Sequence, residues 1–222
     1  MRVALSIEKF QPGLGGGERY AYNFACRLRD AGHDVHVFTP PCAMPDEGFT
    51  YHWVPVGRHF PRWEFARKAE KRLAGADYDI VHGFGKSVCM DVFRPGGGVH
   101  RAWQDHELRM LDGRRARWHR RLQQVGSLNQ QLVLQLEKRQ FGPGGRHLII
   151  AISEMVKDEI QRYYKCESER IRVVHCGADL DRFQPEARER HRAATRARLG
   201  LDPDELVVLF LGHNFQRKGL VP

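Results

Sequence analysis

Gly13-Leu14-Gly15-Gly16-Gly17-Glu18 is the stretch that decides the fold. It follows the apolar run Val3-Ala4-Leu5-Ser6-Ile7 and precedes a helical pattern beginning near Arg19. The order is strand, glycine-rich loop, helix. Glycine lets a backbone turn tightly and lets a ligand approach with no side chain in the way. The helix start that follows presents free N–H groups and a partial positive charge, which suit an anion such as phosphate. A tight strand-to-helix turn without any ligand is the plainer alternative. Two familiar phosphate loops do not fit. A nucleoside-triphosphatase loop needs Lys and then Ser or Thr after its last glycine, and here Gly17 is followed by Glu18-Arg19. A dinucleotide loop needs a small third residue and an acid at the end of the second strand. Counting from Gly13, the third position is Glu18, and the second strand ends Val37-Phe38-Thr39-Pro40 without an acid. The residues fit a phosphate-bearing ligand other than NAD or ATP.

Working outward, the first third alternates strand and helix. Ala21, Phe24, Ala25 and Leu28 form a helical stripe that Gly32 ends. Asp34 to Phe38 alternates as a strand and Pro40-Pro41 stops it. Phe49 to Val56 is a further strand candidate, Arg62 to Leu73 a helix, Asp79 to His82 a short buried strand, and Val88 to Phe93 the next element. Strands separated by helices imply a parallel α/β sheet with right-handed crossovers, in which ligands sit at the carboxyl ends of the strands. The loops after Ile7, His82 and Phe93 are therefore expected to converge on one cleft. Residues 100 to 141 break the rhythm. They contain no clear strand, and Trp118, Leu122, Val125, Leu132 and Leu136 recur at helical spacing. Strand and helix then resume with Leu148 to Ile152, a helix capped by Ser153, and Ile171 to His175. Pro185 to Leu199 reads as an arginine-rich helix, and Leu206 to Leu211 as a fresh buried strand. The expected division is a Rossmann-like domain over 1–183 and, over 184–222, a linker with the start of a second domain.

The chain has 222 residues, 41% hydrophobic and 28% charged, a globular composition. No run approaches a membrane span, and the N-terminus lacks the pattern of a signal peptide. Cys26, Cys42, Cys89, Cys166 and Cys176 are scattered and odd in number, which fits reduced, cytoplasmic thiols better than disulfides or a zinc site. The net charge of +9 suggests an anionic partner. Arg101, Arg109, Arg114, Arg115, Arg117, Arg120 and Arg121 are concentrated in the irregular stretch, interleaved with Trp103, Leu108, Met110, Leu111 and Trp118. Cationic and apolar side chains on one segment suit the headgroup boundary of an anionic bilayer. A solvated helix with Trp118, Leu122 and Val125 turned into the core is the alternative. No helix-turn-helix, zinc-finger or RNA-binding signature supports a nucleic-acid partner.

Four landmarks, in order, resemble family 4 glycosyltransferases of the two-Rossmann (GT-B) fold. They are Gly15-Gly16-Gly17; Arg29-Asp30-Ala31-Gly32-His33-Asp34-Val35; Val174-His175-Cys176-Gly177-Ala178-Asp179 with Phe183 beyond; and Gly212-His213-Asn214-Phe215-Gln216-Arg217-Lys218-Gly219. Within the family the chain is similar to lipopolysaccharide core enzymes that place glucose on inner-core heptose. The resemblance implies a retaining transfer of a hexose from a nucleotide-diphosphate sugar such as UDP-glucose to a lipid-linked glycan, without cofactor or metal. It assigns the leaving diphosphate to Arg217 and Lys218 and to the loop at Gly15, Gly16 and Gly17. Fixed cations there would stabilise the charge that grows as the glycosidic bond breaks. His100, after Pro95-Gly96-Gly97-Gly98-Val99, is the candidate beside the transferred sugar, and Lys86 a candidate for an acceptor phosphate. Trp103, Arg114, Arg115, Arg117, Trp118, Arg120 and Arg121 are the candidate membrane contacts, which would hold the protein on the inner face of the cytoplasmic membrane. The family's Glu-x7-Glu motif falls beyond residue 222, so the chain is expected to carry only the start of the nucleotide domain and to transfer no sugar alone. A sugar-nucleotide epimerase of the same fold, or a non-catalytic basic binding module, are the competing readings. The sequence leaves the oligomeric state open.

Overall fold

A computed structural model of the chain describes residues 1–42, 47–178, 180, 183–212 and 220. It divides into two compact units, Met1–His175 and Cys176–Pro222.

The first unit is built on a seven-stranded, wholly parallel sheet. In chain order its elements are β1 (Arg2–Ser6), α1 (Gly16–Asp30), β2 (Asp34–Thr39), β3 (Thr50–Trp53), α2 (Pro61–Leu73), β4 (Ile80–Phe84) and β5 (Val92–Arg94). They are followed by α3 (His100–Arg109), α4 (Arg114–Gly126), α5 (Leu128–Phe141), β6 (Leu148–Ala151), α6 (Glu154–Tyr164) and β7 (Ile171–Val173). The strand order is β3-β2-β1-β4-β5-β6-β7, a Rossmann-like, doubly wound arrangement whose order reverses between β1 and β4. The expected strand over Val88 to Phe93 is confined to Val92–Arg94, and the irregular stretch resolves into three helices.

Side-chain alternation explains why the sheet is covered on both faces. On β1 and β2, Val3, Leu5, Val35 and Val37 pack with Ala21 and Ala25 of α1. Ala4, Phe38 and Val81 point the other way, toward Phe65, Ala69 and Leu73 of α2. The period of two along each strand thus meets the 3.6 period of a helix on each side. A separate cluster joins Phe93 and Ile149 to Ala102, Phe141, Val156 and Ile160, seating α3, α5 and α6. Local signals end the helices where the residues indicate. Gly32, at φ 81°, closes α1 as its N–H meets Arg29 C=O while that of His33 reaches Leu28 C=O. The Ser153 hydroxyl accepts from the Val156 N–H at the start of α6.

In the second unit α7 spans Pro185–Leu199, with proline in its first turn and Gly200 in the left-handed region as its C-cap. Leu206 to Leu211 does not form the buried strand that its composition suggests. It enters no ladder, and Leu206, Val208, Leu209 and Leu211 are exposed. An apolar, β-branched run becomes a strand only beside a partner edge, and among the described residues no strand is laddered to it.

Candidate active site

β1, β4 and β5 are neighbours in one parallel sheet, so their carboxyl ends lie side by side and the three loops converge as expected. Ser87 ties two of them together: its hydroxyl donates to Ser6, whose C=O and Oγ lie 2.9 and 2.8 Å away. Gln140 of α5 closes the back, donating to the carbonyls of Gly85 and Ser87 at 3.0 and 2.7 Å.

The glycine loop forms the start of α1, with Gly15 as N-cap and no side chain capping the helix. Gly13, Gly15, Gly16 and Gly17 all avoid the positive-φ region, so the turn itself does not demand glycine at these positions. A Cβ on Gly16 or Gly17 would meet nothing within 4 Å, so packing does not demand it either. Room for an incoming group at an uncapped helix start is the remaining physical use of these two glycines. Glu18 folds back over the loop: a Cβ on Gly15 would lie 2.7 Å from its Oε2.

His100 and Lys86 are brought together by a residue that the sequence reading missed. Glu137 of α5 is fully buried. Its carboxylate accepts from the Lys86 ammonium at 3.0 Å, from the backbone N–H groups of His100 and Arg101 at 2.6 and 3.1 Å, and from the Tyr164 hydroxyl at 2.7 Å. A carboxylate at the first N–H groups of α3 satisfies them and complements the helix dipole. Lys86 is therefore an ion-pair partner inside the protein, with only 16% of its side chain exposed. The His100 ring reaches Gln130: Nε2 is hydrogen-bonded to the Gln130 side-chain oxygen. An amide oxygen only accepts, so Nε2 carries the proton. Burial is the main influence that holds the His100 pKa below the usual imidazole value. A neutral ring with Nε2 protonated leaves Nδ1 as a hydrogen-bond acceptor.

Arg94, buried at the end of β5, lies with its guanidinium 3.5 Å from the centre of the Tyr20 ring on α1. His82, beside it on β4, stacks on Phe84 with ring centres 4.5 Å apart. Burial and then the Arg94 charge push the His82 pKa down to about 4. Among the described residues no group of three His, Cys, Asp or Glu could hold a metal ion. Arg217 and Lys218, with most of the fourth landmark, and Asp179 of the third lie outside the described residues.

The candidate membrane contacts are sorted by the structure. Along α4, Trp118, Leu122 and Val125 face outward, and Leu128 follows at the start of α5; Trp118 is 66% exposed and Val125 64%. The alternative that turns this stripe into the core is overturned. The buried side chain of α4 is instead Gln124, which donates to Gln104 C=O and to Glu107. Arg114, Arg115, Arg117 and Arg121 are exposed, and Leu108, Arg109, Arg117, Trp118 and Arg121 line a shallow hollow. Arg120 differs from these, since it holds Glu107 at 2.6 Å. Trp103, on α3, is half-buried. No helix among the described residues is long and apolar enough to cross a membrane.

Comparison with known proteins agrees with this architecture. The structure resembles that of WaaG, a glycosyltransferase involved in lipopolysaccharide biosynthesis, with a TM-score of 0.77 at 23% identity over 98% of this chain and 56% of the other. It also resembles the sucrose-phosphate synthase of Thermosynechococcus elongatus, with a TM-score of 0.65 at 17% identity, over 95% of this chain and 55% of that one. These likenesses are of fold. In sequence, the chain is 28% identical to D-inositol 3-phosphate glycosyltransferase 1 of Catenulispora acidiphila over 94% of its own length and 52% of the relative's. A shorter segment, 31% of the chain, is 46% identical to 14% of the D-inositol 3-phosphate glycosyltransferase of Streptomyces bingchenggensis. The chain thus spans about half the length of relatives that match it from end to end. The family profile described as Glycosyltransferase Family 4 matches residues 14–182, most of the chain and all of the sheet beyond β1: the chain belongs to glycosyltransferase family 4.

Proposed function

We propose that these residues form the acceptor-side half of a retaining glycosyltransferase of the GT-B fold. The complete protein would move a hexose from a nucleotide-diphosphate sugar to a hydroxyl of a lipid-linked glycan. The observation that carries this reading is the family 4 match over residues 14–182, the region containing the open glycine loop, His100 and the Lys86–Glu137 pair. In this reading the exposed N–H groups at Gly16 and Gly17 meet the donor's phosphate or sugar, and Arg217 and Lys218 stabilise the leaving diphosphate. His100 presents Nδ1, a hydrogen-bond acceptor, toward the transferred sugar. The chemistry needs no cofactor or metal.

The favoured pair of substrates is UDP-glucose and a lipopolysaccharide core heptose. The outward apolar stripe of α4 among exposed arginines supports an acceptor held at an anionic membrane surface, with the protein peripheral on its cytoplasmic face. A second reading takes an inositol phosphate as acceptor, favoured by the names of the sequence relatives. The deciding experiment incubates the full-length gene product with radiolabelled UDP-glucose and either a heptose-terminated lipid acceptor or inositol 3-phosphate. Label in the lipid supports the first reading and label in the cyclitol the second. Label in neither, with the sugar nucleotide intact or epimerised, rejects both.

A further inference from the structure

Glu8 stands at the same end of the sheet as the glycine loop. It lies two residues beyond β1, where that strand's loop meets the Gly85 turn after β4. Its Oε1 is buried without a hydrogen-bond partner, and among the described residues the carboxyl makes no hydrogen bond or ion pair. Glu8 as a whole is half-buried, but a buried carboxylate oxygen almost always has a partner. Lys86, the cation that acts most strongly on Glu8, is committed to Glu137 at 3.0 Å. Space is nevertheless reserved for the group: a Cβ on Gly85 would lie 2.7 Å from Glu8 Oε2, and Gly85 sits at φ +60°. Burial pushes the Glu8 pKa up, against the charges of Lys86, Arg62 and Lys9, while Glu18 adds to the rise.

We propose that Glu8 is the hydroxyl-reading residue on the acceptor side of the cleft, its carboxylate receiving hydrogen bonds from a sugar or cyclitol acceptor. This rests on the glycosyltransferase reading above. The chemistry narrows the ligand. A carboxylate accepts hydrogen bonds, and when protonated it also donates one; a hydroxyl, which both donates and accepts, can answer either form. Glu8 and Glu18 together disfavour a phosphate at this point, and Lys86, Arg62 and Lys9 disfavour a cation. A neutral polyol satisfies both constraints, one of its hydroxyls meeting the carboxyl. The open glycines at the start of α1 then serve the donor, and Glu8 the acceptor.

The test compares wild type with Glu8→Gln, which preserves shape but removes the charge. Binding of methyl L-glycero-α-D-manno-heptoside and of myo-inositol to the chain is measured by calorimetry, with inorganic phosphate as the anionic control. Wild type is expected to bind at least one polyol. Glu8→Gln is expected to weaken that binding about tenfold or more and leave phosphate binding unchanged or tighter. In the full-length gene product the same substitution should raise the acceptor KM while leaving donor KM and donor hydrolysis in place. Thermal melts separate this role from a structural one. A carboxyl whose folded pKa is raised costs stability as pH rises above its unfolded pKa, so Glu8→Gln should melt no lower than wild type at pH 7. A lower melting temperature, equal polyol binding by both proteins, or no polyol binding by wild type overturns the assignment. If the full-length protein consumes no sugar nucleotide, the glycosyltransferase reading fails and the binding comparison still decides Glu8.

Discussion

Replacing Glu137 with leucine tests the internal support of the site. The substitution strands the Lys86 ammonium, two N–H groups at the start of α3 and the Tyr164 hydroxyl. Removing one partner of a buried ion pair costs about 3–5 kcal/mol, and each orphaned buried donor about 1–3 kcal/mol. Lys86 retains some access to water, and the first turn of α3 can fray. We therefore expect a net loss of about 4 kcal/mol, a large share of the roughly 5–15 kcal/mol that stabilises a typical protein. At about 2–4 °C per kcal/mol for this size, the melting temperature should fall by about 8–16 °C. Glu137→Gln keeps one acceptor for the N–H groups and should lose about half as much. Urea unfolding at pH 7, followed by far-UV circular dichroism, reads both. Adding Lys86→Met to Glu137→Leu removes the stranded charge and should return about 2 kcal/mol, a coupling that a double-mutant cycle isolates. A loss below about 1 kcal/mol for Glu137→Leu, or strictly additive effects with Lys86→Met, would refute the view that Glu137 ties the β4 loop to α3.

Other expectations follow from the same geometry. The protein should sediment with anionic but not neutral vesicles at low salt and release at high salt, each arginine near the surface adding about 1 kcal/mol; Gln at Arg114, Arg115, Arg117 and Arg121 should abolish this without lowering the melting temperature. His82 has a folded pKa of about 4 against an unfolded 6.5, so the unfolded chain binds the proton more readily and stability should decline as pH falls from 6.5 to about 4, by about 3 kcal/mol; His82→Phe should flatten that part of the urea-stability profile, and an unchanged slope would count against the burial argument. In the full-length gene product, Arg217→Ala or Lys218→Ala should reduce kcat about a hundredfold or more, near 3 kcal/mol of lost stabilisation of the leaving group, and a chelator should leave turnover intact.

The sheet was legible because its signals are local. Val3 to Ile7, Asp34 to Phe38 and Leu148 to Ile152 carry their burial in composition, and Gly32 and Ser153 mark helix ends by backbone chemistry alone. The site was less so. Lys86 and Glu137 are 51 residues apart, and sequence spacing says nothing of a pairing made by tertiary packing. A clue existed, since Glu137 sits on a helical face with Val133, Leu136 and Phe141, where a lone acid needs a partner. Trp118, Leu122 and Val125 show the limit of periodicity. The same spacing serves a core or an outward stripe, and only the packing of α4 through Gln124 distinguishes them. Leu206 to Leu211 fails for a related reason: a strand is a property of two segments, and composition reports one.

The most direct measurement of the central claim follows the anomeric carbon. The full-length gene product is incubated with UDP-glucose carbon-13-labelled at C1 and a heptose-terminated acceptor, and the product is read by NMR. A retaining transfer gives a new glycosidic bond with the α configuration of the donor. A β-linked product, or labelled sugar nucleotide recovered unchanged or epimerised with no new glycosidic bond, would contradict it.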